Sequence, residues 1–154
     1  MRFKVVTLII GTAAFAAVAI PALAAPQNAV LSAKLKGKEE EPGPGDEDGT
    51  GKAQVEVKIA KLKVCYLIEY KNITTANAAH IHRGAKGVAG KIVVELFEGE
   101  QESPAEDCVK AKKERTLKKI VKNPGNYYLN VHNSDFPDGA IRGQLKLVEE
   151  DVQE

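Results

Sequence analysis

The residues that most often carry protein chemistry are scarce in this chain. Its 154 residues include three histidines, two cysteines, one methionine and no tryptophan. The cysteines are far apart in sequence, so the CxxC pairs of zinc and redox motifs are absent. We find no serine–histidine–aspartate or cysteine–histidine set in a plausible strand arrangement, and no glycine loop placed to cradle a phosphate. We therefore expect a protein that is not an enzyme.

Long apolar runs are absent after the first two dozen residues. The single such run, at 5–20, follows Arg2 and Lys4 and precedes a small-residue pattern at 22–24. Its helix would span about 24 Å, less than the hydrocarbon core of about 30 Å. This layout is typical of a cleaved secretory signal peptide. We predict a signal peptide at 1–24, no membrane span after cleavage, and a secreted protein in the periplasm, at the cell surface or in the medium.

An excess of either charge is also missing. Without the predicted signal peptide the chain has 20 basic and 21 acidic side chains, so we predict no nucleic-acid partner. Basic residues are dense only at 110–122, where no aromatic side chain could stack on a base. Leu117, Ile120 and Val121 have helical spacing before Pro124, which predicts one short helix with a solvated basic face.

The two cysteines, Cys65 and Cys108, are predicted to form a disulfide, because an even count in an exported protein favours one. Closing a loop of about 43 residues would stabilise the fold by about 4 kcal/mol in the chain-entropy estimate. The alternative is a pair of thiolate metal ligands.

Alternating apolar residues and frequent turn signals predict strands through the rest of the chain. Many short strands with one helix indicate an all-β antiparallel sandwich or barrel. The seven predicted strands lie at 29–37, 51–60, 63–73, 78–82, 91–99, 126–133 and 139–148.

Two of the three histidines are separated by one residue, in the run AHIH. Side chains alternate between the faces of a strand, so His80 and His82 share one face and Ile81 takes the other. Isoleucine belongs in a core, which places both imidazoles on the outer face of the sheet. The aliphatic residues of the 126–133 strand mark its core face in the same way, so His132 also points outward.

If these two strands are neighbours, the three imidazoles converge. Three histidines can hold one Zn²⁺ or Cu²⁺ ion and leave a coordination position open. The alternative is that the histidines hydrogen-bond to adjacent loops without a metal. One copper or zinc ion is the only cofactor that the sequence suggests, with His80, His82 and His132 as its ligands.

Two long segments carry a family resemblance, AAHIHRGAKGVAGKIVVELFEG and NPGNYYLNVHNSDFPDGAIRGQL. With VCYLIEY and LKGKEEEPGPGDEDGTGKAQV, they make the chain resemble the CHRD domain, which is named from chordin and widespread in exported prokaryotic proteins. The resemblance covers residues 30–147, and we predict one domain at 25–154. It implies an immunoglobulin-like β-sandwich and a family without established enzymatic activity.

A second resemblance concerns the site alone. HIH, the later VH and the final GAIRG look like the layout of copper/zinc superoxide dismutase. That similarity would make His80, His82 and His132 metal ligands and Arg142 an anion contact beside the open position. The enzyme needs further histidines, one of which bridges two metals, and this chain lacks them. Dinuclear dismutase chemistry is therefore excluded.

Arg142 also has a simpler interpretation. Ile141 is expected to face the core, so Arg142 would face outward and pair with Asp135 or Asp138. A surface ion pair of that kind is worth about 0–1 kcal/mol.

Three functions are consistent with these observations. The leading one is a secreted, non-enzymatic module that binds a protein, a polymer or a small ligand outside the cytoplasm. The second is a mononuclear copper- or zinc-binding protein. The third is a cell-surface assembly or adhesion component whose basic helix meets an anionic partner.

Overall fold

The computed structural model describes residues 28–148, and the predicted signal peptide lies outside the described residues. The described part contains nine β-strands and one α-helix. These elements are β1 (Asn28–Lys36), β2 (Thr50–Lys58), β3 (Lys63–Lys71), β4 (Ala76–Arg83), β5 (Lys91–Gln101), β6 (Ala105–Lys110), α1 (Glu114–Lys122), β7 (Tyr127–Asn133), β8 (Ile141–Gln144) and β9 (Lys146–Leu147).

All nine strands belong to one antiparallel sheet. The order is β5-β4-β7-β8-β1-β2-β3-β6, and β9 pairs with β1. The two end strands, β5 and β6, lie against each other, so the sheet curls nearly into a barrel around one core. Strands β4, β5 and β6 follow one another while β7 returns to the side of β4, which is a Greek-key arrangement. The predicted all-β antiparallel fold with one short helix is confirmed.

The strands differ from the seven predicted ones in two places. The sequence does not predict β6, because Glu106 and Asp107 interrupt any apolar alternation; it forms because it pairs with β3. The last predicted strand is divided into β8 and β9 by Leu145. That residue is buried, and its N–H donates to the carbonyl of Tyr127 at 3.0 Å instead of joining the ladder to β1.

The core is built by the inward side chains of the sheet. In β1, and in β2 from Ala53 onward, every second residue is buried, and Leu31, Leu35, Val55 and Val57 are almost completely enclosed. Burial of a side chain of this size contributes about 1.5–3 kcal/mol. This clean alternation is the reason that the sequence predicts both strands.

Helix α1 covers one part of this core, as its apolar spacing predicts. Leu117, Ile120 and Val121 are buried, and the lysines of the helix are exposed. Lys118 forms an ion pair of 2.5 Å with Glu114 one turn earlier. Within residues 28–148 the structure has no helix of the length and apolarity that a membrane crossing requires.

The predicted disulfide between Cys65 and Cys108 is present. The two residues lie directly opposite each other on β3 and β6, with Cα atoms 3.9 Å apart. The bond therefore joins the end strand β6 to the sheet. It also removes both thiols from consideration as metal ligands.

Candidate metal centre

The three histidines lie on neighbouring strands. β4 and β7 pair in antiparallel register, with His80 opposite Asn130 and His132 opposite Ala78. Ile81 is fully buried in the core, so the predicted division of faces holds on β4. His80, His82 and His132 therefore project from the same side of the sheet.

Their ring nitrogens converge. His80 Nδ1 lies 3.1 Å from His132 Nε2, and one nitrogen from each of the three rings fits within a span of 4.8 Å. Two nitrogens that share a metal at about 2.0–2.1 Å are roughly 3.4 Å apart in tetrahedral geometry. The pair formed by His80 and His132 is close to this separation, and the widest pair of the set would have to close by roughly 1 Å to share one ion.

The outward nitrogen of each ring has an acceptor. His80 Nε2 is 2.9 Å from Glu98 Oε1, His82 Nδ1 is 2.8 Å from the Gly90 carbonyl, and His132 Nδ1 is 2.9 Å from the carbonyl of residue 137. Carboxylates and carbonyls only accept, so these three nitrogens carry the hydrogens. In a neutral imidazole the lone pair is then on the other nitrogen, and in all three rings that nitrogen points inward.

Two of the inward nitrogens have contacts within the protein, since His132 Nε2 lies 3.1 Å from His80 Nδ1 and 3.2 Å from Asn130 Oδ1. His80 Nδ1 and His132 Nε2 face each other, and two lone pairs at hydrogen-bond distance repel unless a proton or a cation lies between them. His82 Nε2 is buried without a hydrogen-bond partner. Burial lowers the pKa of both His82 and His132, which favours the neutral, ligand-competent rings. The set has the chemistry of a tridentate metal ligand with its outer hydrogen bonds in place.

The face that carries the histidines is not exposed, which corrects the sequence-based expectation of an outer, open patch. His80 is only 6% exposed and His82 only 9%. The loop at 84–90 covers this face, and it is anchored by a hydrogen bond of 3.1 Å from Gly90 N–H to the hydroxyl of Tyr128. The ring of Tyr128 stacks on that of His82 with centroids 4.8 Å apart.

Arg142 is likewise buried, so its predicted surface pair with Asp135 or Asp138 is wrong. It is 1% exposed, and its Nη2 donates to the carbonyls of Ala85 and Val88 at 3.0 and 2.9 Å. Asp135 instead accepts a hydrogen bond from the hydroxyl of residue 74. Arg142 thus anchors the loop at 84–90. Strand alternation correctly predicts that its side chain points away from the core, but it cannot predict that this loop then covers the side chain.

The guanidinium also reaches the histidine cluster. Its central carbon lies 3.4 Å from the ring centroid of Tyr128, and Arg142 pairs with Asn130 across β7 and β8. Its positive charge helps to lower the pKa of His82. Nη1 is buried and has no hydrogen-bond partner. The predicted role of Arg142 as an anion contact remains a prediction.

Glu40 is a member of this cluster that sequence reasoning missed. It is 5% exposed, and burial raises its pKa to about 7 against the opposing charge of Arg142. Gly139, with φ of +141°, leaves room for it, since a Cβ there would come within 2.6 Å of the carboxyl carbon. In the sequence, Glu40 belongs to an acidic run that is typical of a solvated loop. The glycines that pack around it in the fold lie up to about a hundred positions away, so no local pattern indicates its burial.

Unpartnered polar atoms are concentrated here. Within the described residues, four buried side-chain polar atoms lack a hydrogen-bond partner, and three of them are Glu40 Oε1, His82 Nε2 and Arg142 Nη1. Buried polar groups in folded proteins are nearly always satisfied, so each exception calls for an explanation. A bound ion with its remaining ligands would account for this concentration.

The fold and the site define a class: an antiparallel Greek-key protein with one disulfide and a buried cluster of three convergent histidines. A family model described as the CHRD domain matches residues 31–145. The chain therefore belongs to the CHRD-domain family, as its sequence motifs indicate. Comparison with curated proteins and with solved structures gave no significant match.

Proposed function

We propose that this CHRD-domain protein is an exported, non-enzymatic binding module that holds one copper or zinc ion through His80 Nδ1, His82 Nε2 and His132 Nε2. The observation that supports the proposal is the hydrogen-bond arrangement. Each ring places its outward nitrogen against an oxygen acceptor, and one nitrogen of each ring lies within 4.8 Å of the other two. Such outer acceptors orient histidine ligands and make them more basic.

The donor set favours copper and zinc over harder ions. Imidazole nitrogen suits Zn²⁺ and Cu²⁺, whereas Mg²⁺ and Ca²⁺ prefer oxygen. Both cysteines are in the disulfide, so no thiolate competes for the ion. In the usual order of divalent affinities Cu²⁺ exceeds Zn²⁺, so we expect Cu²⁺ to bind more tightly.

The surroundings favour retention of the ion over rapid turnover. The loop at 84–90 lies over the cluster and is held by Arg142, and buried polar atoms of Arg142 and Glu40 lack hydrogen-bond partners. The positive charge of Arg142 would favour an anion as a further ligand of the ion. The role that fits this geometry is storage or delivery of a metal.

Export is supported by two independent features. Residues 1–24 have the layout of a signal peptide, and the Cys65–Cys108 disulfide suits an oxidising compartment. The proposed site would thus meet metal outside the cytoplasm.

The test is metal titration of the purified protein by isothermal calorimetry, with thermal unfolding as a second readout. We expect one equivalent of Cu²⁺ to bind, and the melting temperature to rise with it, since only the folded state holds the site. His82→Ala should abolish stoichiometric binding. Gln54→Ala, an exposed change on β2, is the control and should bind as the parent does. Unchanged uptake by a folded His82→Ala variant would refute the proposal.

A further inference from the structure

A second feature lies on the outer face of β1, β2 and β3 and includes none of the histidines. It is a groove of about 660 Å³ whose charged lining consists of Lys34, Lys36, Lys52, Lys71 and Glu69. We call it the lysine groove. Two smaller cavities of about 330 and 210 Å³ adjoin it, since Lys34 lines all three. Together the three cavities form a path that is longer than a single small anion.

Several of these lysines are uncompensated. Lys34 stands directly opposite Lys52 on the β1–β2 ladder, and like charges in that position destabilise a sheet. Lys52 has an ion pair with Glu69. No acidic group within residues 28–148 pairs with Lys34, Lys36 or Lys71. A chain that is close to neutral overall thus concentrates positive charge along one path.

The arrangement of the groove has a regular spacing. Lys36 pairs with Thr50, and Thr50 pairs with Lys71, so the two ammonium groups flank one exposed hydroxyl across three strands. Neighbouring strands are about 4.8 Å apart, which separates the two lysine backbones by about 10 Å. Such a row suits a chain that carries anionic groups and hydroxyls at intervals.

The structure argues against other anionic partners. β1, β2 and β3 pair along their full lengths, so the groove has no free strand edge to which a peptide could add. Among its lining residues the one aromatic is Tyr70, which is buried, so no ring is available to stack on a nucleic-acid base. The groove offers a partner ammonium and hydroxyl groups beside apolar surface that includes Pro104.

We propose that the lysine groove binds a carboxylated polysaccharide chain, with Lys34, Lys36 and Lys71 contacting its carboxylates and Thr50 a sugar hydroxyl. The inference goes beyond metal binding and does not depend on it. It also assigns the anionic partner to the sheet and not to the basic helix α1.

The test compares two variants that lose the same charge in different places. The groove variant is Lys34→Gln/Lys36→Gln/Lys71→Gln, and the control is Lys113→Gln/Lys119→Gln/Lys122→Gln on and beside α1. Binding of an oligogalacturonate is measured by calorimetry at low salt, with neutral dextran and poly(dT) as comparison ligands. We expect the groove variant to lose about tenfold or more in affinity and the control to lose little, because contact at short range outweighs screened attraction at long range.

Folding is checked on the same samples. The melting temperature of the groove variant should be unchanged or slightly higher, since the repulsion between Lys34 and Lys52 is relieved. Equal losses in the two variants would show that net charge alone drives binding and would overturn the proposal. Absence of binding by the parent, or tighter binding of poly(dT) than of oligogalacturonate, would also overturn it.

Discussion

The strand pairs β1–β2 and β4–β7 are alike on their inner faces and different on their outer ones. In both pairs the inward side chains enter the same core. The outer face of β1–β2 is largely exposed and carries lysines, whereas that of β4–β7 is almost entirely buried and carries histidines, Asn130 and Tyr128. Alternation in the sequence determines the side that a residue takes; distant loops determine whether water reaches that side.

The difference has a chemical consequence. A solvated face tolerates unpaired charges, because water satisfies them. A buried polar face needs partners inside the protein. On β4–β7 the outward ring nitrogens have them, whereas the inward nitrogen of His82 is buried without one. This difference supports the proposed metal site on one face and the proposed docking path on the other.

The largest expected effect is on the free energy of unfolding, and it tests whether the inner and outer faces of the strands differ in burial. Ile81→Ala should lower the free energy of unfolding by about 2–5 kcal/mol, because it leaves a cavity in a fully enclosed position. Val30→Ala, on the outer face of β1, should change it by no more than about 0.5 kcal/mol. Urea unfolding of both variants measures the difference. Similar losses would mean that the two faces are not distinct.

The next effect concerns the buried carboxyl group of Glu40. Burial raises the pKa of Glu40 from 4.5 to about 7, so the folded state holds a proton that the unfolded state has released. The contribution of Glu40 to stability then falls as pH rises through the interval from 4.5 to about 7, by about 3 kcal/mol.

The effect of Glu40 can be isolated by measuring urea unfolding between pH 4 and pH 8. Glu40→Gln is neutral throughout, so its stability relative to the parent should increase steadily across that interval. Glu41→Gln, at the exposed neighbouring position, should follow the parent curve. Parallel curves for all three proteins would show that Glu40 is not buried as described.

A smaller effect is expected at the outer hydrogen bond of His80. Glu98→Ala removes the acceptor of His80 Nε2 and should weaken Cu²⁺ affinity about 10- to 100-fold, with stoichiometry retained. Glu100→Ala, an exposed change on the same strand, is the matched control. Competition titration with a chelator of known affinity measures both. Equal Cu²⁺ affinities of the Glu98→Ala and Glu100→Ala variants would show that Glu98 does not support the metal site.

Much of the fold follows from local patterns. The apolar alternation of β1 and β2, the helical spacing of Leu117 and Ile120, and the position of Ile81 between two histidines are all decided within a few residues. The strands, the helix and the burial of Ile81 that these patterns predict are confirmed. The convergence of the histidines needed one further condition, the pairing of β4 with β7, which the structure supplies.

What the sequence does not reveal is decided over long distances. β6 exists because of its pairing with β3, and its own residues give no strand pattern. Arg142 and Glu40 are polar side chains whose burial depends on the loop at 84–90 and on Gly139, far from them in the chain. Local sequence patterns assign such polar residues to the surface. They fail at the histidine cluster, where distant loops bury polar side chains.

The direction of the three inward lone pairs can be observed by long-range ¹H–¹⁵N NMR of the imidazoles. In the metal-free protein we predict protonated Nε2 in His80 and protonated Nδ1 in His82 and His132. One equivalent of Zn²⁺ should then shift His80 Nδ1, His82 Nε2 and His132 Nε2 together, with no further change on excess metal. Other tautomers, or a titration that leaves any one of the three rings unaffected, would contradict a three-histidine metal centre.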